Sequence, residues 1–478
     1  AYYQATGKRA FLDVAEKNAD MLVRTFGPDR RKDVPGHQEI EIGLAKLYRA
    51  TGKKEYLELA KFFLDERGHP HDGGLYPEDT PFALYNGREY MQDHTPVVQQ
   101  EQAVGHAVRA TYMYAGMADV AALTGNEDYI RAIDRLWENV VAKKLYLTGG
   151  GGARHTSEAF GDDYELPNIS AYTETCAAIG NAFWNHRMFL LHGHAKYIDV
   201  LERILYNGLI SGVSLNGDCF FYQNPLESRG KRERSPWFEV ACCPGNMARF
   251  VPSFPGYIYA KKDDNLYINL FVQSSTTVEL KDQSVFLSQV TKYPWEGNVQ
   301  INVDPENEGE FSVHVRIPGW ASGQPVPSDL YRFLDELEND IHIFVNGTSC
   351  PIEIENGFAR IRRKWKKGDK IELRLPMPVR KVQSHKNVQD NLGKIALQRG
   401  PTVYCFEGVD NQNRVLDRSL HDNPRLETQF HQDLLGGSVV IKGSFADDNP
   451  FLAIPYFAWA HRGASEMIVW INHNSSNN

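Results

Sequence analysis

Cysteine is scarce in this chain: six among 478 residues, at Cys176, Cys219, Cys242, Cys243, Cys350 and Cys405. That density excludes a small disulfide scaffold, and a chain long enough for two or three cores needs no such staples. No apolar run approaches the length of a membrane span. Positive charge is also short. The 52 Lys and Arg against 61 Asp and Glu leave a net charge of −9. With no basic cluster there is no footprint for nucleic acid or for an anionic membrane surface. The opening A-Y-Y-Q-A-T-G-K-R-A has neither a leader pattern nor an initiator methionine, so it assigns no compartment, cytoplasmic or periplasmic. Oligomeric state is equally unmarked, and a homodimer stays open.

What is present is globular in balance, with 42% hydrophobic and 24% charged residues. The 12% aromatic share suits a carbohydrate-handling protein, whose rings receive sugar faces, but a β-rich core needs aromatics as well.

One pattern recurs along the first half. A-T-G-K-R-A-F-L-D-V-A begins at Ala5, A-T-G-K-K-E-Y-L-E-L-A at Ala50, L-T-G-N-E-D-Y-I-R-A-I at Leu123 and L-H-G-H-A-K-Y-I-D-V-L at Leu191. Each places an aromatic four residues after a glycine, with apolar residues at helical spacing on both sides. The reading is helix, glycine stop, helix, with Gly7, Gly52, Gly125 and Gly193 as C-cap residues. Repeated helical hairpins at irregular intervals predict a helical toroid over residues 1–258 rather than an irregular bundle. A closed ring of six hairpins needs helices ahead of the first ones seen, so the toroid is expected to be incomplete at its N-terminal side.

From about Tyr259 the period changes to two. N-L-Y-I-N-L-F-V, E-F-S-V-H-V-R-I, I-H-I-F-V-N-G and K-I-E-L-R-L-P alternate apolar and polar residues, with Asn346-Gly347 as a turn signal. This predicts a β-sandwich over 259–378 and a second sandwich or β extension over 379–478. Cys350 and Cys405 fall here and read as ordinary buried thiols.

Three of the remaining four cysteines, Cys176, Cys242 and Cys243, form a pattern. E-V-A-C-C-P-G-N sets Cys242 beside Cys243, and Y-T-E-T-C-A-A-I-G carries Glu174 and Cys176 where an extended turn enters a helix. A disulfide between the neighbours closes a strained eight-membered ring, so thiols free or bound to metal are expected. Three thiolates and a carboxylate suit a four-coordinate zinc site. The spacing is not that of a zinc finger, and by spacing alone the cysteines can equally be packing residues. Nearby, H-T-S-E-A-F-G-D-D-Y-E-L-P-N is a polar loop with Glu158, Asp162, Asp163 and Glu165. Glu158, between small and aromatic residues, is the acid expected in a pocket with a raised pKa. A helix Q-Q-E-Q-A-V-G-H-A-V-R-A is expected to carry Gln99, Gln102, His106 and Arg109 on one face. His37, in P-G-H-Q-E-I-E, heads another helix, and Y-M-Q-D-H-T-P adds His94.

In this order G-H-Q-E-I-E, Q-D-H-T-P-V, A-V-G-H-A-V-R-A, S-E-A-F-G-D-D-Y-E-L-P-N, A-Y-T-E-T-C-A, F-F-Y-Q-N-P-L and W-F-E-V-A-C-C-P-G-N make a sequence that resembles glycoside hydrolase family 127, the β-L-arabinofuranosidase family. The likeness runs from about Asp33 to the end. It implies an (α/α)6 barrel followed by β-sandwich domains, and an exo-acting, retaining enzyme that takes furanosides from plant-derived oligosaccharides. It also implies a Zn2+ ion held by Glu174, Cys176, Cys242 and Cys243, with Cys242 as nucleophile and Glu158 as acid/base. His37, His106 and Tyr222 fall where the family contacts the sugar, and His94 is placed in the same pocket. A metal-held thiolate is chemically apt, because a free thiol is mostly protonated at neutral pH. Two other readings remain at this point. One is a carbohydrate-binding zinc protein without catalysis. The other is a barrel hydrolase or lyase using Glu158 with Asp162 or Asp163.

Overall fold

The computed structural model describes residues 2–72, 87–336 and 340–473. The described residues among 1–140 and 152–162 make one compact unit, and those among 141–151 and 163–478 make a second.

The first unit is helical. Helices α1 (Tyr2–Thr6) and α2 (Ala10–Thr25), α3 (Ile40–Thr51) and α4 (Lys54–Glu66), and α5 (Ala107–Thr124) and α6 (Glu127–Asn139) form three hairpins. Gly7, Gly52 and Gly125 stand at the helix ends with φ of 70–77°, the left-handed conformation that stops a helix cheaply in glycine alone. The two members of the third hairpin differ as their sequences require. In α5 buried residues occupy all sides, from Ala107 to Ala121, so it is wrapped by protein. In α6, Tyr129, Ala132, Ile133 and Leu136 make one buried stripe and the opposite face is charged.

The second unit opens with the fourth hairpin, α7 (Thr175–His192) and α8 (Ala195–Ile204), around Gly193 with φ 70°. As with the third pair, α7 is buried on most sides. The short helix α9 (Cys242–Phe250) packs on α7, with Phe183 and Phe250 in ring contact at 5.7 Å. From Tyr259 onward the unit is β. A six-stranded sheet runs in the order 348–349, 342–345, 369–374, 298–305, 284–291, 274–279. A five-stranded sheet runs 354–355, 358–365, 309–316, 265–268, 259–262. Alternate residues of both sheets, among them Val285, Leu287, Ile301, Val303, Val313, Ile361 and Leu373, enter one apolar core. Asn346 and Gly347, at φ 53° and 79°, make the tight turn expected of that dipeptide.

The third sheet has eleven strands and a core of its own around Leu397, Tyr404, Phe406, Ile441 and Phe451. One of its strands was not foreseen. Glu227–Arg229, from the largely helical half of the sequence, pairs antiparallel with Glu466–Ile468. Three residues are too few to show a period, and the partner lies more than two hundred residues away. Cys405 is buried in the strand Thr402–Glu407 as expected, whereas Cys350 is only half-buried. No described helix is long and apolar enough to cross a membrane.

Within this unit α8 is tied to the β region by a buried ionic knot. Arg316, fully buried, donates to Asp199 Oδ1 at 2.6 Å, to Glu202 and to the Asn269 carbonyl. Glu202 also accepts from Tyr293 Oη at 2.7 Å and Trp320 Nε1 at 3.1 Å. Burial lifts the Asp199 carboxyl to about 6, against the pull of Arg316. Removing one member strands the opposite charge in the interior, which costs far more than an exposed pair is worth. Arg316→Met is therefore expected to lower the unfolding free energy by about 3–5 kcal/mol, read by urea denaturation, while Arg362→Met, whose partner Glu310 is exposed, changes it by less than about 1 kcal/mol.

Candidate active site

Two clusters carry the predicted residues, one in each unit. In the first, the expected helix over Gln99 to Arg109 is corrected. Val97–Gln99 is a single 3-10 turn and residues 100–106 are not helical, so α5 begins only at Ala107. The break is at Gly105, whose φ is 68° and where an added Cβ would sit 2.0 Å from the Glu89 carbonyl oxygen. The close approach of the two loops, invisible in the periodicity, overrides the helical spacing. His106 is consequently the N-cap of α5 and not a mid-helix residue. Its Nδ1 accepts from the Arg109 amide at 3.4 Å, which leaves the proton on Nε2 in the neutral ring. Nε2 meets Glu158 Oε2 at 2.6 Å.

Glu158 is brought there by a strained loop. Ser157 and Glu158 hold φ of 64° and 49°, and Ala159 bridges both Arg154 and His106. Successive non-glycine residues in the left-handed region persist only where surrounding contacts over-determine them. The Glu158 side chain is 32% exposed and His106 7%. The Tyr90 ring stands edge-on to His106 at 5.3 Å, and His37 at 6.1 Å. His37 lies in the turn before α3, with its Nδ1 2.9 Å from the Gln38 carbonyl. Crowding by protein lowers its imidazole to about 4, and the Arg109 guanidinium adds to this, although the residue as a whole is exposed. Arg109 itself is held by the Gly36 carbonyl and over the Tyr90 ring at 4.8 Å.

The other acids of this loop are otherwise employed. Asp162 is 87% exposed and paired with Arg154 at 2.9 Å. In the second unit Asp163 pairs with Lys143 at 2.7 Å and Lys144 at 3.7 Å. His94 is half-buried, with its imidazole lowered mainly by burial, and Nδ1 has no hydrogen-bond partner among the described residues. No ring contact among the described residues joins it to His37 or His106. Its neighbour Asp93 instead organises this part of the loop, accepting from Gly68 N at 2.7 Å, His71 Nε2 at 2.9 Å and Arg88.

The second cluster gathers the three cysteines and Glu174. A short antiparallel register does this: Thr175 N bonds the Tyr222 carbonyl at 2.9 Å, Asn224 N the Thr173 carbonyl at 3.3 Å, and Glu174 bridges Gln223. Thr173 turns the chain at φ 39°, and its hydroxyl donates to the Asn224 carbonyl at 2.6 Å. Glu174 is thereby the N-cap of α7, with Cys176 in its first turn, and α9 begins at Cys242 and Cys243. The four ligand atoms lie within 4.8 Å of one another. Cys176 and Cys243 sulfurs are 3.5 Å apart, Cys242 and Cys243 3.8 Å, and Glu174 Oε1 is 3.5 Å from Cys242 and 3.6 Å from Cys243.

These separations exclude disulfides, whose sulfurs bond at about 2.05 Å. They match the edges of a tetrahedron, about 3.8 Å between sulfurs, when thiolates sit about 2.3 Å from a central ion. The cluster could hold a metal ion. Its electrostatics are graded. Cys243 and Cys176 are buried and their thiols are pushed up, Cys243 chiefly by burial and Cys176 chiefly by donating to Cys242. Cys242 is the exposed one, and hydrogen bonds from those thiols and from Tyr222 hold it well below the ordinary thiol range. Tyr222 Oη lies 3.2 Å from its sulfur. Phe238, which the sequence reading passed over, makes an edge contact with the Tyr222 ring at 5.5 Å. Its position four residues before Cys242 was the only signal available for it.

Comparison with known proteins identifies the family to which the chain belongs. Residues 1–256 match the family model described as β-L-arabinofuranosidase, glycoside hydrolase family 127 catalytic domain. Residues 265–377 match the middle domain of that family and 379–472 its C-terminal domain. A non-reducing end β-L-arabinofuranosidase of Bifidobacterium longum subsp. longum is 33% identical over 98% of this chain and 76% of its own. A solved family-127 β-arabinofuranosidase superposes with a TM-score of 0.93 at 48% identity, covering 99% of this chain and 74% of that one. The family-127 β-L-arabinofuranosidase of Geobacillus stearothermophilus T6 gives 0.91 at 42%, covering 99% and 78%. The chain belongs to glycoside hydrolase family 127 and is a glycosidase, with a helical N-terminal region followed by β-rich domains.

Proposed function

We propose that this chain is a retaining exo-glycosidase that releases β-L-arabinofuranose, or a related pectic furanoside, from plant-derived oligosaccharides. The carrying observation is the Glu174–Cys176–Cys242–Cys243 cluster, in which one sulfur alone is exposed, at a helix N-terminus and under a tyrosine hydroxyl. The substrate follows the named activity of the relatives. The helices are read as part of an (α/α)6 barrel, with domains over 1–258, 259–378 and 379–478. Support for these comes from the hairpin pattern and from the family-model ranges.

The donor set of three thiols and one carboxylate fits Zn2+, which when bound would keep the thiols ionised and make the sulfur of Cys242 a better leaving group. Cys242 attacks the anomeric carbon, forming the carbon–sulfur bond as the bond to the departing sugar oxygen breaks. Glu158 gives that oxygen its proton, with His106 Nε2 orienting the carboxyl. Glu158 then takes a proton from water. The water oxygen bonds to the same carbon, the carbon–sulfur bond breaks, and its electron pair returns to Cys242. Two inversions give net retention. His37, His94, His106 and Tyr222 are assigned to hold the sugar. His37 does so as a neutral ring, because its lowered pKa keeps it unprotonated at working pH. No observation favours a carboxylate pair, since Asp162 and Asp163 are held in ion pairs with Arg154, Lys143 and Lys144.

Metal analysis by mass spectrometry is expected to find one zinc per chain. Iodoacetamide and Cys242→Ser should each abolish hydrolysis of p-nitrophenyl β-L-arabinofuranoside, by roughly a thousandfold or more. Metal-free protein whose activity survives alkylation would end the thiolate mechanism, and zinc without turnover would point to the non-catalytic reading.

Glu158→Gln should lower kcat/KM roughly 100- to 10,000-fold on an arabinofuranosyl disaccharide. Loss on the p-nitrophenyl glycoside, whose leaving group needs no proton, should be much smaller. Equal losses on both would remove Glu158 from the acid role.

For His37, the sign is set by its lowered pKa: protonation is disfavoured in the folded protein, so the neutral ring persists as pH falls. In an NMR titration its ring resonances should stay those of neutral imidazole from pH 8 to about 5 and move only near 4. A midpoint near 6.5 would contradict the assignment.

A further inference from the structure

The segment just before Cys242 is anchored at its start and delivers the thiol at its end. Arg234 donates to the carbonyls of Ser211, Phe457 and Trp459 and lies over the Phe221 ring at 4.3 Å. Ser235 and Phe220 exchange backbone bonds at 2.8 and 2.9 Å, and the Ser235 hydroxyl donates to the Trp237 carbonyl at 2.6 Å. Tyr222 stands two residues past that bridge. Its ring is met edge-on by Phe238 at 5.5 Å and 86° and by Tyr172 at 6.2 Å and 66°. Its Oη sits 3.2 Å from Cys242 Sγ. In the same segment Trp237 is 63% exposed and Val240 69%, whereas Phe238 is turned in to the tyrosine.

We propose that Phe238 is a positioning residue that acts through Tyr222 on Cys242: with Tyr172 it clamps the phenol ring so that the hydroxyl hydrogen stays directed at the nucleophilic sulfur. A tyrosine ring that no neighbour holds can swing about its side-chain bonds, and a hydrogen bond to sulfur weakens steeply with angle. Edge contacts with two rings, Phe238 and Tyr172, restrict that freedom. The role matters at each visit of negative charge to the sulfur, in the resting thiolate and when it departs from the sugar carbon. This rests on Cys242 being the nucleophile of the proposed function. The contacts of Phe238, Tyr222 and Cys242 stand without it.

The test is a double-mutant cycle on the purified holoenzyme, with Tyr222→Phe, Phe238→Ala and the pair. It is read first by the rate at which iodoacetamide modifies Cys242, followed by peptide mass spectrometry. Tyr222→Phe is expected to change that rate roughly tenfold, the scale of one hydrogen bond to a charged group. Phe238→Ala should change it in the same direction by at least threefold, and the double variant should match Tyr222→Phe alone. Phe238→Tyr, which keeps a ring edge in place, should retain the wild-type rate. Independent, multiplying effects in the double variant, or an unchanged rate in Phe238→Ala, would overturn the inference. If Phe238→Ala does not fold, Phe238→Leu takes its place with the same expectation. The same cycle in kcat for p-nitrophenyl β-L-arabinofuranoside should repeat the pattern with KM little changed. A coupled alkylation cycle in a protein that hydrolyses no furanoside would sustain the clamp and remove the proposed function instead.

Discussion

Three sulfurs and a carboxylate within 4.8 Å of one another cannot all carry negative charge in a protein interior without a compensating cation. Most of what surrounds the cluster can be understood as serving that constraint. Glu174 and Cys176 stand at the N-terminus of α7 and Cys242 and Cys243 at that of α9, where the helix dipole favours negative charge. The tetrahedral separations leave room for one ion at the centre. The gradient from buried Cys243 and Cys176 to exposed Cys242 decides where the remaining reactivity lies. A buried thiol can anchor, but only the exposed one can meet a substrate.

The scaffold keeps these helix ends in register by means that are local and rigid. The strand-like pairing of residues 173–175 with 221–224 fixes Glu174 relative to Tyr222 through backbone bonds, and threonine and asparagine side chains close the register. The ionic knot around Arg316 then ties α8 to the β region in the same unit. Such buried charge is a poor source of net stability but penalises any other packing severely. The β region thus braces α8, the hairpin partner of α7, on whose first turn Cys176 stands.

The other cluster uses a different device for the same end. Glu158 sits on a loop with two consecutive residues at positive φ, held by backbone bridges at Ala159 and by the His106 ring. A flexible glycine would adopt that backbone more easily but would give the carboxylate no fixed direction.

Much of this was legible in the chain. The four glycines with an aromatic four residues on predicted the hairpins, because a left-handed helix stop is nearly specific to glycine; the ring that follows is buried at Tyr56, Tyr129 and Tyr197, though Phe11 is exposed. The two-residue alternation after Tyr259 marked the β region for an equally local reason. The unusual pair Cys242-Cys243 and the sequence around Glu174 identified the ligand candidates, since residue chemistry is a property of the sequence itself. Only the tertiary structure decided what those residues do together. It broke the expected helix at Gly105, because the Glu89 backbone occupies the space a side chain would need, and so turned His106 from a mid-helix residue into a cap facing Glu158. It separated Glu158 from Asp162 and Asp163 by giving each of those a cation. It recruited Glu227–Arg229 to a sheet formed by the far end of the chain, and set Phe238 against Tyr222. Periodicity and capping are local and can be read along the sequence. Distances between residues far apart depend on how whole elements pack, and no spacing encodes them.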